Sequence, residues 1–176
     1  MPYMPSLPAV TGTVDLWRFD KTLSVHLNQY SQTLMLGPSS LSPAQRDLIG
    51  VYVSALNRCR FAFRLHVEVS VLMGLEREAL EALWDRPEPD GFSDRMRPIL
   101  DYARTLTRAP AMATPDEAEA IYAAGWDKTA FFQALNIVSW FNFMNRLLEG
   151  AGVDGSRDDF ERLARQIVEI GYVGRP

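Results

Sequence analysis

Apolar residues recur every three or four positions along most of this chain, which is the spacing of an α-helix. The first such run occupies residues 20–36 and ends at Gly37-Pro38. Its apolar positions are Leu23, Leu27, Tyr30 and Leu34. A second run follows Ser42-Pro43-Ala44-Gln45, which has the form of a capping box with proline at the first helical position. The pattern therefore predicts two successive helices, the second reaching about Leu56.

Six further segments carry helix signals. Asn57 is interpreted as the N-cap of a helix that ends at Gly74, and its long apolar stripe favours helix over strand despite the alternating valines at positions 67, 69 and 71. The remaining helices are predicted at residues 76–84, 93–108, 115–124, 127–149 and from Ser156 onward. No strand or hairpin signal is found. The predicted fold is all-α, a bundle of roughly eight helices.

The N-terminal residues have a different composition. Pro2, Pro5, Pro8 and Gly12 interrupt the opening segment, so residues 1–19 are predicted to form an extended arm. The arm is either frayed or laid across a neighbouring subunit. Residues 20–176 are predicted to form a single helical domain.

Composition narrows the classes of partner. Hydrophobic residues are 47% and charged residues 23%, as in ordinary globular proteins, and the net charge is 18 minus 22, or -4. Without a large basic patch, neither nucleic acid nor an anionic membrane is expected as a partner. The apolar stretch at residues 131–148 is too polar to span a bilayer, because it is interrupted by Gln133, Asn136, Asn142, Asn145 and Arg146. A single cysteine and no apparent signal peptide predict a cytoplasmic protein.

Candidate chemistry is concentrated between residues 41 and 74. With Asn57 as N-cap, Cys59 falls in the first turn of its helix, where free N–H groups, the helix dipole and neighbouring arginines favour a thiolate. His66 shares that helix face but lies about 10 Å further along the axis. Asp47, on the preceding helix, is near enough for helix packing to bring its carboxylate toward His66. A proton relay is one interpretation.

Each of these residues also has a structural interpretation. Cys59 is equally explained as a small buried hydrophobe, and His66 as a hydrogen-bonded core histidine. Asp47 would complement the dipole of a first helical turn. No metal site, phosphate-binding loop or haem motif is found, so no cofactor is predicted. The aromatic segment 131–148 is interpreted as core or subunit interface.

The sequence VSALNRCRFAFRLH at residues 53–66, preceded by Arg46-Asp47, resembles a known family pattern. That pattern is an Arg-Glu pair followed by V-S-x-x-N-x-C-x-[YF]-C-x-x-x-H, and it is typical of the AhpD-like (alkylhydroperoxidase D, carboxymuconolactone decarboxylase) superfamily. Further similarity to the peroxidase-related branch lies in LSP at 41–43 and WFNFMNRL at 140–147.

The resemblance implies an all-α, AhpD-like fold that assembles into dimers, trimers or hexamers. It also implies antioxidant redox chemistry, in which two cysteines reduce a peroxide, an acid and a histidine relay protons, and an external thiol reductant resets the centre. Asp47 takes the place of the glutamate, Cys59 is the first cysteine and His66 the histidine. Ala62 occupies the position of the second cysteine, so the two-cysteine cycle cannot operate.

Three hypotheses follow. The first is a one-cysteine thiol peroxidase that uses Cys59. The second is an acid/base enzyme of the carboxymuconolactone decarboxylase type, in which Asp47 and His66 act on a small organic acid or lactone. The third is an inactive, oligomeric family member.

Overall fold

The computed structural model describes Tyr3 and residues 16–173. From Lys21 onward it contains eight α-helices. They are α1 (Lys21–Leu36), α2 (Pro43–Leu56), α3 (Arg60–Leu72), α4 (Arg77–Asp85), α5 (Arg97–Arg108), α6 (Pro115–Ala123), α7 (Lys128–Ala151) and α8 (Arg157–Ile170). The described residues form no β-strand, which confirms the all-α prediction. Most of the predicted N-terminal arm, residues 1–2 and 4–15, lies outside the described residues.

Local capping explains where several helices begin. Ser42 and Thr114 form the predicted capping boxes with Gln45 and Glu117. In each, the hydroxyl accepts a backbone N–H three residues on, and the glutamine or glutamate side chain accepts the N–H of the cap residue. These contacts satisfy N–H groups that a helix start leaves unpaired. None of the helices in the described part of the chain has the length and apolar character of a membrane span.

The junction between α2 and α3 differs from the prediction. Asn57 is the C-cap of α2 rather than the N-cap of α3, because its N–H still bonds Val53 O at 3.0 Å. Arg58 then reverses the chain with a positive φ of 57°, and Cys59 itself becomes the N-cap of α3. The assignment of Asn57 was therefore wrong, although Cys59 still lies at a helix start.

Two other helix boundaries also differ from the prediction. Helix α5 begins at Arg97 rather than Ser93, because residues 93–96 form a turn; Pro98 then falls in the first helical turn, where its missing N–H costs nothing. Helix α7 continues through Gly150 and ends at Gly152, whose φ of 66° is the left-handed conformation of a C-cap.

Helix α2 occupies the centre of the bundle. Every residue from Arg46 to Leu56 is buried, and α3, α5 and α7 pack around it. Gly50 allows the closest approach: a Cβ at this position would lie 2.2 Å from the Phe141 ring of α7. A second buried cluster joins α3, the end of α7 and α8. One face of α7 is therefore core, as predicted for residues 131–148, whereas Phe132 and Phe143 are 65% and 47% exposed.

Candidate active site

Asp47 of α2 and His66 of α3 are in direct contact. Asp47 Oδ1 lies 2.8 Å from His66 Nδ1, and the Ser70 hydroxyl donates a 2.6 Å hydrogen bond to Asp47 Oδ2. All three residues are buried. Because Ser70 follows His66 by one helical turn, α3 presents both partners to the same carboxylate. The predicted approach of Asp47 to His66 is confirmed.

This contact fixes how the imidazole is presented. With Nδ1 held by the carboxylate, Nε2 is the ring nitrogen left for a bound molecule. The ring also packs edge-on against Phe141, with centroids 4.7 Å apart and an interplanar angle of 73°. His66 is thus oriented from two sides.

A cavity of about 250 Å³ adjoins His66. Its walls come from α1, α3, α7, α8 and the segment that follows α8, and Ala62, Phe141 and Tyr172 are among its lining residues. The other lining side chains are mostly aliphatic or aromatic, with Asn28, Ser31 and Gln166 as uncharged polar members. No Lys, Arg, Asp or Glu belongs to the lining among the described residues. A volume and composition of this kind suit a small, largely apolar molecule.

Cys59 lies outside this cavity. The residue is 0% exposed, does not line the cavity and makes no capping hydrogen bond. Burial raises the pKa of the Cys59 thiol to about 12, and the Glu149 carboxylate adds to the rise. The backbone N–H groups of Ala62 and Phe61 lower that pKa, but by less. The N–H groups at the helix start therefore act in the expected direction, but burial outweighs them and the thiolate is not favoured.

The flanking arginines do not serve the thiol either. The Arg58 guanidinium stacks over Trp84, 5.5 Å from the ring centroid, and donates to the Trp84 carbonyl. Arg60 lines a separate, charged groove. Among the described residues, no group of three or more His, Cys, Asp and Glu side chains is placed to hold a metal ion.

Three residues near the site were not among the predicted candidates. Ser70 had a usable signal, since it lies four positions after His66 on the same helix face. Arg46 is 2% exposed; its Nη1 donates to Leu34 O at 2.9 Å, and burial lowers its pKa. Tyr172 had no local signal, because it follows α8 at the far end of the chain and reaches the cavity only through the tertiary fold.

Known proteins share both the sequence pattern and the fold. Residues 25–105 match the model of the carboxymuconolactone decarboxylase family. The Bacillus subtilis (strain 168) uncharacterized protein YdfG is 26% identical over 109 residues, which cover 62% of this chain and 74% of that protein.

Two solved structures have the same fold. A peroxidase-related protein from Silicibacter sp. TM1040 has a TM-score of 0.77 at 24% identity, covering 85% of this chain and 78% of that one. An alkylhydroperoxidase AhpD core, a peroxidase-related protein from Ralstonia eutropha JMP134, has a TM-score of 0.73 at 20% identity, covering 87% and 80%. Over residues 25–105 this chain therefore matches the carboxymuconolactone decarboxylase family, and its fold is AhpD-like.

Proposed function

We propose that this protein is an acid/base enzyme in which His66, oriented by Asp47, moves a proton to or from a small organic molecule held in the cavity. The observation that carries the proposal is the 2.8 Å contact between Asp47 Oδ1 and His66 Nδ1 at the wall of an apolar cavity. It corresponds to the acid/base chemistry of the carboxymuconolactone decarboxylase type rather than to the redox chemistry of a cysteine pair.

The roles follow from the geometry. His66 Nε2 acts as the base, and Asp47 stabilises the imidazolium that forms when the proton is taken. Ser70 holds the second carboxylate oxygen and prevents the carboxylate from turning away. The largely apolar lining lowers the local polarity and so strengthens these interactions. Because that lining carries no cationic Lys or Arg among the described residues, an uncharged molecule or a lactone fits it better than a dicarboxylate.

Proton exchange tests the proposal whatever the final product of the reaction is. Small lactones and other carbon acids are incubated with the protein in deuterated water, and deuterium incorporation is followed by NMR. We expect His66→Gln to reduce the exchange rate by roughly 10² to 10⁴-fold. Cys59→Ser, which alters the same helix outside the cavity, is expected to stay within about twofold of wild type. Exchange that is lost in Cys59→Ser and kept in His66→Gln would refute the proposal.

A one-cysteine thiol peroxidase is the second candidate. In its favour are the peroxidase-related description of the two structural neighbours and the position of Cys59 at the start of α3. Peroxide would oxidise the thiolate to sulfenic acid, and an external thiol reductant would restore it. Against it are the complete burial of Cys59 and its raised pKa.

Two measurements separate this candidate from the first. Mass spectrometry after peroxide treatment detects a trapped sulfenic acid if Cys59 reacts. Peroxide consumption with a generic thiol donor then compares wild type with Ala62→Cys, which restores a thiol beside His66. Gain of turnover only in the variant would indicate that the relay is intact and lacks its second sulfur.

The proposal includes assembly into a homo-oligomer, a dimer, trimer or hexamer, through an exposed aromatic face on α1 and α7. Tyr30 and Trp140 contact each other with centroids 5.0 Å apart, and Phe143 stacks on Trp140 at 5.4 Å. Phe143 is 47% exposed, which is costly for a phenylalanine in a monomer. Light scattering checks this, with Phe143→Glu expected to lower the oligomer mass. The free, buried Cys59 is compatible with a cytoplasmic location.

A further inference from the structure

We propose that the Tyr172 hydroxyl donates a hydrogen bond to the carbonyl oxygen of the molecule bound in the cavity, which assigns the substrate to the class of uncharged, enolisable carbonyl compounds. The inference rests on the proposed role of His66 as the base. Its starting observation is that Tyr172 and His66 line the same cavity, although they are more than 100 residues apart in the sequence.

The phenol hydroxyl is available for a ligand. No described residue forms a hydrogen bond with it. Among the described residues, the fully buried side-chain atoms without a partner are Arg46 Nε and Asn145 Nδ2, and the phenol oxygen is not one of these fully buried atoms. Tyr172 lines the cavity, and the proposal places its hydroxyl there. An unpaired donor inside a protein is unfavourable, and an acceptor atom on a bound molecule would satisfy it.

The backbone holds Tyr172 in this position. Its N–H donates to Gln32 Oε1 on α1 at 2.8 Å. The preceding Gly171 has a φ of 78°, and a Cβ there would lie 2.2 Å from the same Gln32 oxygen. Only glycine permits both the turn after α8 and this close approach. The Gln32 contact therefore fixes the segment that carries Tyr172 against α1 at the cavity.

The charges around the phenol suit a donor. Burial raises the pKa of Tyr172 well above its usual value, and the Asp47 carboxylate adds to this while Arg46 opposes it. The phenol therefore stays protonated at physiological pH and keeps its O–H for donation. The phenol is thus influenced by the buried Arg46 cation as well as by the Asp47 carboxylate.

The chemical step needs only these groups. His66 Nε2 takes a proton from the carbon next to the carbonyl, and the electron pair of the broken C–H bond forms a carbon–carbon double bond. The carbonyl π electrons move onto oxygen, where the Tyr172 O–H stabilises the enolate. The imidazolium returns the proton to the same carbon, giving exchange, or to a more distant carbon of a conjugated substrate, giving a double-bond isomer. No oxidant or reductant takes part.

Binding of an enolate mimic tests the inference without turnover. The probe is 4-nitrophenolate, whose oxyanion stands for the enolate oxygen, and 4-nitrotoluene is the uncharged counterpart of similar shape. We expect Tyr172→Phe to weaken 4-nitrophenolate binding roughly 10- to 100-fold, as for loss of a hydrogen bond to a charged group, and to leave 4-nitrotoluene binding within about twofold. Calorimetry measures both. Tyr122→Phe on α6, outside the cavity lining, is the matched control and should change neither.

The possible results separate the two proposals. Equal 4-nitrophenolate affinity in wild type and Tyr172→Phe would overturn the inference, and so would a wild-type protein that binds neither probe. If either result is obtained while His66→Gln still abolishes proton exchange, the role of His66 as the base stands and the proposed Tyr172 contact is wrong. A matching thermal transition for Tyr172→Phe and wild type shows that any loss of binding is not due to unfolding. Selective loss of the oxyanion probe in Tyr172→Phe supports the inference.

Discussion

The start and the middle of α3 carry two candidate residues in opposite surroundings. Cys59 is its N-cap and is completely buried, with a pKa raised to about 12. His66, two turns later, contacts Asp47 and lines a cavity of about 250 Å³. Reactivity depends on access and on partners, and along this helix only the histidine has both. Position in a family motif does not by itself make a residue reactive.

Ala62 accounts for much of the difference between Cys59 and His66. It lies between the two residues in sequence and lines the cavity, so a position where a thiol would be near both His66 and a bound molecule carries a methyl group. The acid/base half of the family's centre retains its hydrogen bonds, with Asp47 held by both His66 and Ser70. Of the two cysteine positions in the family pattern, only the first carries a thiol, the buried Cys59.

Thiol labelling gives the largest expected contrast. A thiol with a pKa of about 12 in place of 9.0 has roughly 1000-fold less thiolate near neutral pH. We therefore expect iodoacetamide to label Cys59 in the folded protein about 1000-fold more slowly than in the same protein unfolded in denaturant, measured by mass spectrometry. The double variant Cys59→Ser, Ala62→Cys has its thiol at the cavity and should label faster than folded wild type. Equal rates for folded and unfolded wild type would remove the distinction between Cys59 and His66.

The acid partner of the histidine gives the next largest effect. Asp47→Asn keeps the shape of the side chain but removes the charge that stabilises the imidazolium, so we expect the proton-exchange rate to fall about 100-fold. Asp116→Asn, on the exposed start of α6, is the matched control and should leave the rate unchanged. Circular dichroism checks that both variants fold. An unchanged rate in Asp47→Asn would mean that His66 works without its carboxylate.

Much of the fold follows from sequence, because its signals are local. The helical spacing and the capping sequences at Ser42 and Thr114 fix most helix starts, and the approach of Asp47 to His66 follows from packing two consecutive helices. The surroundings of Cys59 do not follow in the same way. They depend on the positive φ of Arg58 and on α7 and α8, which close over the thiol from distant parts of the chain. The place of Tyr172 at the cavity cannot be predicted from sequence for the same reason.

The close contact between α2 and α7 positions the Phe141 ring that packs against His66. In Gly50→Ala the new methyl group would meet the Phe141 ring at 2.2 Å, and Phe141 in turn packs against His66. Such overpacking costs about 2 kcal/mol, so we expect that loss in the free energy of unfolding, measured by urea denaturation. Gly150→Ala, inside α7 with no atom within 4 Å of the new methyl, should instead stabilise by about 0.5 to 1 kcal/mol. Equal effects at both positions would show that Phe141 can move aside.

The protonation of Cys59 should also appear in the pH dependence of stability. The pKa of its thiol is about 12 in the folded protein against 9.0 as the reference, so the folded state holds the proton more tightly. The associated stability is fully present below pH 9.0 and is lost as the pH rises toward the folded value. By about pH 10 the wild type should have lost about 1 kcal/mol more of its unfolding free energy, relative to neutral pH, than Cys59→Ala has lost. Urea denaturation of both proteins across this range measures the difference, and subtraction removes the titrations of tyrosine that they share. Parallel curves would mean that the thiol is solvated, and the contrast between the buried Cys59 and the accessible His66 would then disappear.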